Sequence, residues 1–275
     1  MVGSGCAGMD NQTMPHIFCI ANQKGGVGKT TTTVNLAAGL AQIGQRVLII
    51  DLDPQGNATT GSGVDKLGLE YSIYDVLIGE CSLVDAMQFS EHGGYQLLPA
   101  NRDLTAAEVA LLNLPAKEKR LREALAPVRE NYDYILIDCP PSLSMLTINA
   151  LAASDGVIIP MQCEYYALEG LTDLVNSIQR IGQALNPSLK IEGLLRTMYD
   201  PRSSLTNDVS EQLKAHFGDK LYDTVIPRNV RLAEAPSHGM PALVYDKQSK
   251  GALAYLALAG ELSRRQRQSA RGAPA

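Results

Sequence analysis

Between Lys24 and Thr31 the chain reads Lys-Gly-Gly-Val-Gly-Lys-Thr-Thr, a spacing suited to holding phosphate. Gly25, Gly26 and Gly28, with Val27 between them, let the backbone curl until successive N–H groups point inward at an anion; any Cβ would obstruct that curl. Lys29 is placed to reach β- and γ-phosphate oxygens, and the Thr30 hydroxyl, with Thr31 beside it, to complete a Mg2+ shell. An apolar run, Ile17 to Ala21, precedes the loop and an amphipathic segment, Thr30 to Ile43, follows it. Strand, glycine-rich turn and helix is the context such a loop requires, and the positive end of the helix adds to the attraction. The expected ligand is a nucleotide.

Two further stretches end in carboxylates. Arg46 to Gly56 is a buried strand running into Asp51 and Asp53. These acids are expected to point apart and to do different jobs, one near the metal shell and one facing the water that attacks the γ-phosphorus. Tyr134-Ile-Leu-Ile-Asp138 is a hydrophobic strand ending in Asp, the form of a Walker B element, where a carboxylate holds Mg2+, usually through water.

The loop departs from the general G-x-x-x-x-G-K-[ST] pattern at its first glycine, which is Gln23, and it carries a second lysine, Lys24. That variant resembles the deviant Walker A loop of the ParA/MinD ATPases. The pieces DLDPQGNAT (51–59), LIDCPPSL (136–143), CEYYALEG (163–170) and IPRNVRLAEAPSHG (226–239) are similar to the Soj/ParA chromosome-partitioning branch. The resemblance runs from about Pro15 to about Arg267. It implies that Lys24 crosses a dimer interface to the partner's nucleotide and that Lys29 and Asp53 serve hydrolysis, Asp53 by positioning or activating the water. Asp51 would lie closer to the loop and Mg2+. It also implies that Pro227 and Asn229 border the adenine and that a ParB-type protein with a short basic segment stimulates hydrolysis. Arginines matching Arg202 and Arg231 would contribute to non-specific DNA binding.

Positioning such residues takes short apolar runs alternating with helical periodicity. Strands are expected at 17–21, 46–51, 95–99, 134–138, 156–160, 191–196 and 224–226. Helices are expected near 30–43, 73–78, 105–112, 116–130, 143–153, 168–185, 205–217 and 251–267. Runs too apolar to alternate are buried on both faces, as in a parallel sheet covered by helices. The expected fold is a doubly wound α/β domain, a mostly parallel sheet with helices on both faces and the ligand at the carboxyl ends of the strands. One domain should span 15–268, with a flexible extension at 1–14 and a disordered tail at 269–275.

With 275 residues, 45% hydrophobic and 19% charged, the composition is that of an ordinary globular protein. No apolar run approaches the roughly 18 residues of a membrane span. Five scattered cysteines without a C-x-x-C pair suit reduced thiols in a cytoplasm, and Cys139 and Cys163 lack the motif context of an iron–sulfur reductase. A net charge of −5 gives no global reason to bind nucleic acid, so DNA binding needs a local patch. Candidates are Arg202, Lys220 and Arg231 on late turns, with Lys247 and Lys250 at the start of a basic C-terminal stretch. Phosphate neutralisation there would suit a cytoplasmic protein riding the nucleoid. The competing class, a MinD-like membrane switch, would need bulky apolar anchors beside basic residues on the last helix. That helix is alanine-rich without Trp or Phe, so no stable membrane association is expected.

Overall fold

Seven strands form one sheet in the order β3-β4-β2-β5-β1-β6-β7 in the computed structural model, which describes residues 15–164 and 167–272. The first half runs β1 (His16–Ile20), α1 (Lys29–Gln42), β2 (Val47–Asp51), α2 (Asn57–Gly61), α3 (Ile73–Ile78), α4 (Leu83–Ala86), β3 (Gln88–Ser90), β4 (Tyr95–Leu98), α5 (Ala107–Leu112), α6 (Arg120–Leu125) and β5 (Tyr134–Asp138). The second half runs α7 (Met145–Ala153), β6 (Gly156–Gln162), α8 (Ala167–Leu185), β7 (Lys190–Thr197), α9 (Ser204–Phe217), α10 (Val230–Glu234), α11 (Ala242–Tyr245) and α12 (Lys250–Gly272). Every pairing is parallel except the β3–β4 hairpin.

Both faces of the sheet are core. Ile17, Cys19, Leu48, Ile50, Ile135 and Ile137 pack on one side; Phe18, Ile20, Val47, Ile49, Tyr134 and Leu136 pack on the other. Strand alternation therefore assigns each residue to a face, and the acids that end β2 and β5 fall on the face covered by α1. On that face α12 spends its apolar side: Tyr255, Leu258, Ala259 and Leu262 are buried against it.

Three expectations need correction. The run 224–226 is not a strand, because the Asp223 and Thr224 N–H groups donate to the Glu261 carboxylate at 2.9 Å each instead of to a sheet neighbour. Only single bridges, Leu194–Leu221 and Tyr199–Pro227, continue the sheet there. The seventh strand is β3, an antiparallel edge too short to give an apolar run. Finally, α12 continues to Gly272, four residues into the expected tail; residues 1–14 and 273–275 lie outside the described residues.

Candidate functional site

The glycine-rich turn leaves β1 at its carboxyl end and is held by the two strands beyond it, β6 and β7. Asn22 donates to the Pro160 carbonyl of β6 at 2.8 Å and accepts from the Lys24 N–H at 3.0 Å. Thr197 at the end of β7 donates to the Val27 carbonyl at 2.8 Å. These bonds tie the loop to β6 and β7, on one side of β1. Gly28 takes φ +89° as the N-cap of α1, where no side chain caps the first N–H groups. A helix start with uncapped donors and no acid in its first turn is an anion seat. An ideal Cβ on Gly25 or Gly26 would meet no atom within 4 Å, so the glycines border open space that a ligand can fill.

Two cavities open on this loop. One of about 270 Å³ is lined by Gly25, Gly26, Lys29, Thr30, Asp53 and Asn57 among others. The second, of about 350 Å³, is lined by Thr197, Ile226, Pro227, Asn229, Leu232 and Tyr255 among others. Gly28, Thr31 and Met198 border both. A polar chamber continuous with a largely apolar one, each near the size of a small-ligand pocket, suits phosphates joined to a base.

Lys29 is almost buried, and its Nζ donates to the Lys24 carbonyl at 3.2 Å. Burial pulls its pKa down, while Asp138 and Asp53 nearby oppose that shift. Asp138 is fully buried; Thr30 Oγ1 donates to its Oδ2 at 2.7 Å and Thr33 Oγ1 to its Oδ1 at 3.1 Å. Burial first, and then the Asp51 charge, raise the Asp138 pKa. A buried carboxylate bonded to the hydroxyl of Thr30, which with Lys29 lines the phosphate chamber, fits a hydrated Mg2+.

Asp51 corrects an expectation. It stands in register with Asp138 but is turned to the start of α2, not to the loop. Its Oδ2 accepts from the Thr59 N–H and hydroxyl at 2.8 Å each, and its Oδ1 from the Asp53 N–H at 3.1 Å. Three donors make it an anchor for the segment carrying Asp53. The two acids diverge because β2 ends at Asp51; alternation alone would put residues two apart on one face. Gly56 completes the turn at φ +62°, where a Cβ would sit 2.6 Å from the Ala100 carbonyl. Thr59 also accepts from the Ala100 N–H at 2.9 Å. Thr59→Val should therefore leave two buried groups short of a partner and cost about 2–3 kcal/mol, read as a lower urea midpoint. An unchanged midpoint would contradict this anchoring role.

Lys24 is not in the phosphate chamber of its own chain. Its half-exposed ammonium pairs with Glu164 just past β6. Pro227 and Asn229 line the second, largely apolar cavity. The Asn229 Oδ1 is engaged as the N-cap of α10, accepting from the Arg231 N–H at 3.0 Å, which orients the amide and leaves its NH2 to address a ligand.

The basic candidates are all exposed but are not one patch. Arg231 pairs with Glu234 at 2.8 Å and with Asp246 at 3.3 Å, which places it beside the segment bearing Lys247 and Lys250. Arg202 grips Asp200 with two bonds of 2.9 Å and holds that carboxyl down at about 2. Lys220 stands apart, on the turn whose Asp219 carbonyl accepts from Arg265. Arg265, one of the basic residues of the C-terminal stretch, is structural: it bonds Glu261 and the Leu221 carbonyl and covers the Tyr222 ring.

Sequence reasoning missed Asn22, Thr33, Asn57, Thr197, Met198 and Tyr255. The rule that ligands sit at the carboxyl ends of parallel strands points to Thr197 and Met198. Nothing in the sequence signals the left-handed φ of +49° at Met198.

A parallel sheet, a glycine-rich loop after its first strand and a carboxylate ending the adjacent strand define a P-loop nucleoside triphosphatase of the deviant Walker A kind. An AAA domain family model matches residues 15–191. The chain is 54% identical over 250 residues to the sporulation initiation inhibitor protein Soj of Bacillus subtilis, covering 91% of this chain and 99% of that one. It is 52% identical over 253 residues to the chromosome partitioning protein ParA of Caulobacter vibrioides, covering 91% and 95%. A cobyrinic acid a,c-diamide synthase structure from Mycobacterium smegmatis, with bound ADP and magnesium, superposes with a TM-score of 0.82 at 38% identity, covering 93% and 97%. The chain belongs to the ParA/Soj family of chromosome-partitioning ATPases.

Proposed function

We propose that this chain is an ATP-dependent dimerising switch that binds DNA without sequence preference and segregates chromosomes or plasmids with a ParB-type partner, hydrolysing ATP to ADP and phosphate. The observation that carries the reading is the pair of chambers sharing Gly28, Thr31 and Met198, one lined for phosphates and one for a base. Lys29 and the loop N–H groups hold the β- and γ-phosphates. Thr30 and Asp138 hold Mg2+, which when bound neutralises charge on those oxygens. Asp53, at the chamber edge, orients the attacking water. Lys24, turned outward, is free to exchange Glu164 for the nucleotide of a second copy, because an exposed ion pair is worth little. Positive charge supplied this way stabilises the transition state only in the dimer, so ATP both joins the subunits and times their release.

The partition names of the relatives support the output, and exposed Arg202, Arg231, Lys247 and Lys250 supply the cations. The MinD-like alternative asks for a free apolar face on the last helix, but Tyr255, Leu258 and Leu262 of α12 are buried in the core and Leu253 alone of its leucines is exposed. Among the described residues no helix is long and apolar enough to cross a membrane. We place the protein in the cytoplasm on the nucleoid.

Gel filtration with ADP, ATP and a non-hydrolysed analogue tests the switch. The wild type should dimerise with ATP and the analogue but not with ADP. Asp53→Ala should give a long-lived ATP dimer with far less hydrolysis, and Lys24→Ala should bind ATP yet stay monomeric. Identical behaviour of the two variants would overturn these roles.

A further inference from the structure

We propose that Thr33 is a positioning residue for Asp138 and thereby sets how much Mg2+ nucleotide binding requires; this rests on the nucleotide reading above. In helix α1, four consecutive threonines follow Lys29, an unfavourable run for a helix, and each has a different use. Thr30 donates to Asp138 Oδ2 and Thr31 lines both chambers. Thr32 bonds the buried Tyr255 hydroxyl at 3.1 Å. Thr33, one turn beyond Thr30 on the same face, reaches Asp138 Oδ1 at 3.1 Å.

The Thr33 hydroxyl also lies 3.1 Å from the Lys29 carbonyl, the ordinary back-bond of a helical threonine. One proton serves two acceptors. The charged carboxylate is the stronger of them, and the Lys29 carbonyl already has its helical N–H partner. Thr33 is itself fully buried, so no water can replace it. Two hydroxyls from one helix thus clamp both oxygens of Asp138. The Thr30 clamp is on the chamber wall and would be shared with a metal shell, whereas Thr33 is behind Asp138 and untouched by ligand. Thr33 holds the carboxylate orientation while Thr30 engages the metal.

The test is binding of a fluorescent ATP analogue, titrated with Mg2+ and repeated in EDTA, for wild type, Thr33→Val and Thr33→Ser. Valine keeps the shape and removes the hydroxyl; serine keeps the hydroxyl. Thr33→Val should raise the Mg2+ concentration at half-saturation about three- to tenfold, with Thr33→Ser within about twofold of wild type. Binding in EDTA should be the same for all three, and melting without nucleotide reads any general loss of stability separately. A Thr33→Val titration matching wild type, or a Thr33→Ser shift as large as that of valine, would overturn the proposal. A wild-type protein whose nucleotide binding ignores Mg2+ would overturn the underlying metal assignment instead.

Discussion

Lys29→Ala is expected to abolish nucleotide binding. The side chain is the only cation among the described residues that line the phosphate chamber, and its site is nearly buried, where charge-assisted bonds to phosphate are strongest. Losing two such bonds, at about 1.5–3 kcal/mol each, weakens ATP by more than about a hundredfold. The Asp138 carboxylate would also lose a positive neighbour and repel the incoming phosphates, so the loss should exceed that of the bonds alone. Equilibrium dialysis against ATP with Mg2+ reads the effect, with a melting curve to show that the variant is folded. Unchanged affinity would remove the phosphate-loop assignment and everything built on it.

That loop was legible because its chemistry and its scaffold are written in the same residues: glycines for the curl, a lysine for the charge, and apolar runs on either side for the strand and helix. Six of the seven strands were legible as short, mostly apolar runs, clearest in β2 and β5, since a strand covered on both faces has little polar side to interrupt it. The run at 224–226 looks alike in composition, but the N–H groups of Asp223 and Thr224 at its start are taken by Glu261, a partner 37 residues or more away that no local pattern reveals. Asp51 and Asp53 show the same limit. Their types announced carboxylate chemistry, yet only the hydrogen bonds of Thr59 show that one of them is an anchor. Thr33 was invisible for the converse reason, because a threonine inside a helix ordinarily bonds its own backbone. Composition likewise over-counted the basic C-terminal stretch, because Arg265 is folded against Glu261 and Tyr222.

The second large effect concerns DNA. One protomer offers a few scattered cations, two of them already paired with acids, and the chain as a whole carries a net charge of −5. A monomer should therefore hold a duplex poorly at physiological salt. On the proposed switch, joining two protomers through ATP would double the phosphate contacts and convert the second set into an intramolecular event, so affinity should rise by more than addition. Exchanging Glu234 and Asp246 for phosphate costs Arg231 little, because exposed ion pairs contribute about 0–1 kcal/mol. Arg231→Glu would instead add a third acid beside those two and repel the backbone. It should remove DNA binding while ATP-driven dimerisation survives, with Arg202→Glu acting in the same direction more weakly.

Fluorescence anisotropy on two unrelated duplexes, with ADP and with ATP, from low to physiological salt, tests the central claim most directly. The account predicts binding with ATP only, nearly equal on both duplexes, falling steeply with salt, by about 10³-fold or more between 50 and 200 mM if six or more phosphates are neutralised. Equal binding in the two nucleotides, or a strong preference for one duplex, would contradict an ATP-gated switch that reads only the phosphate backbone.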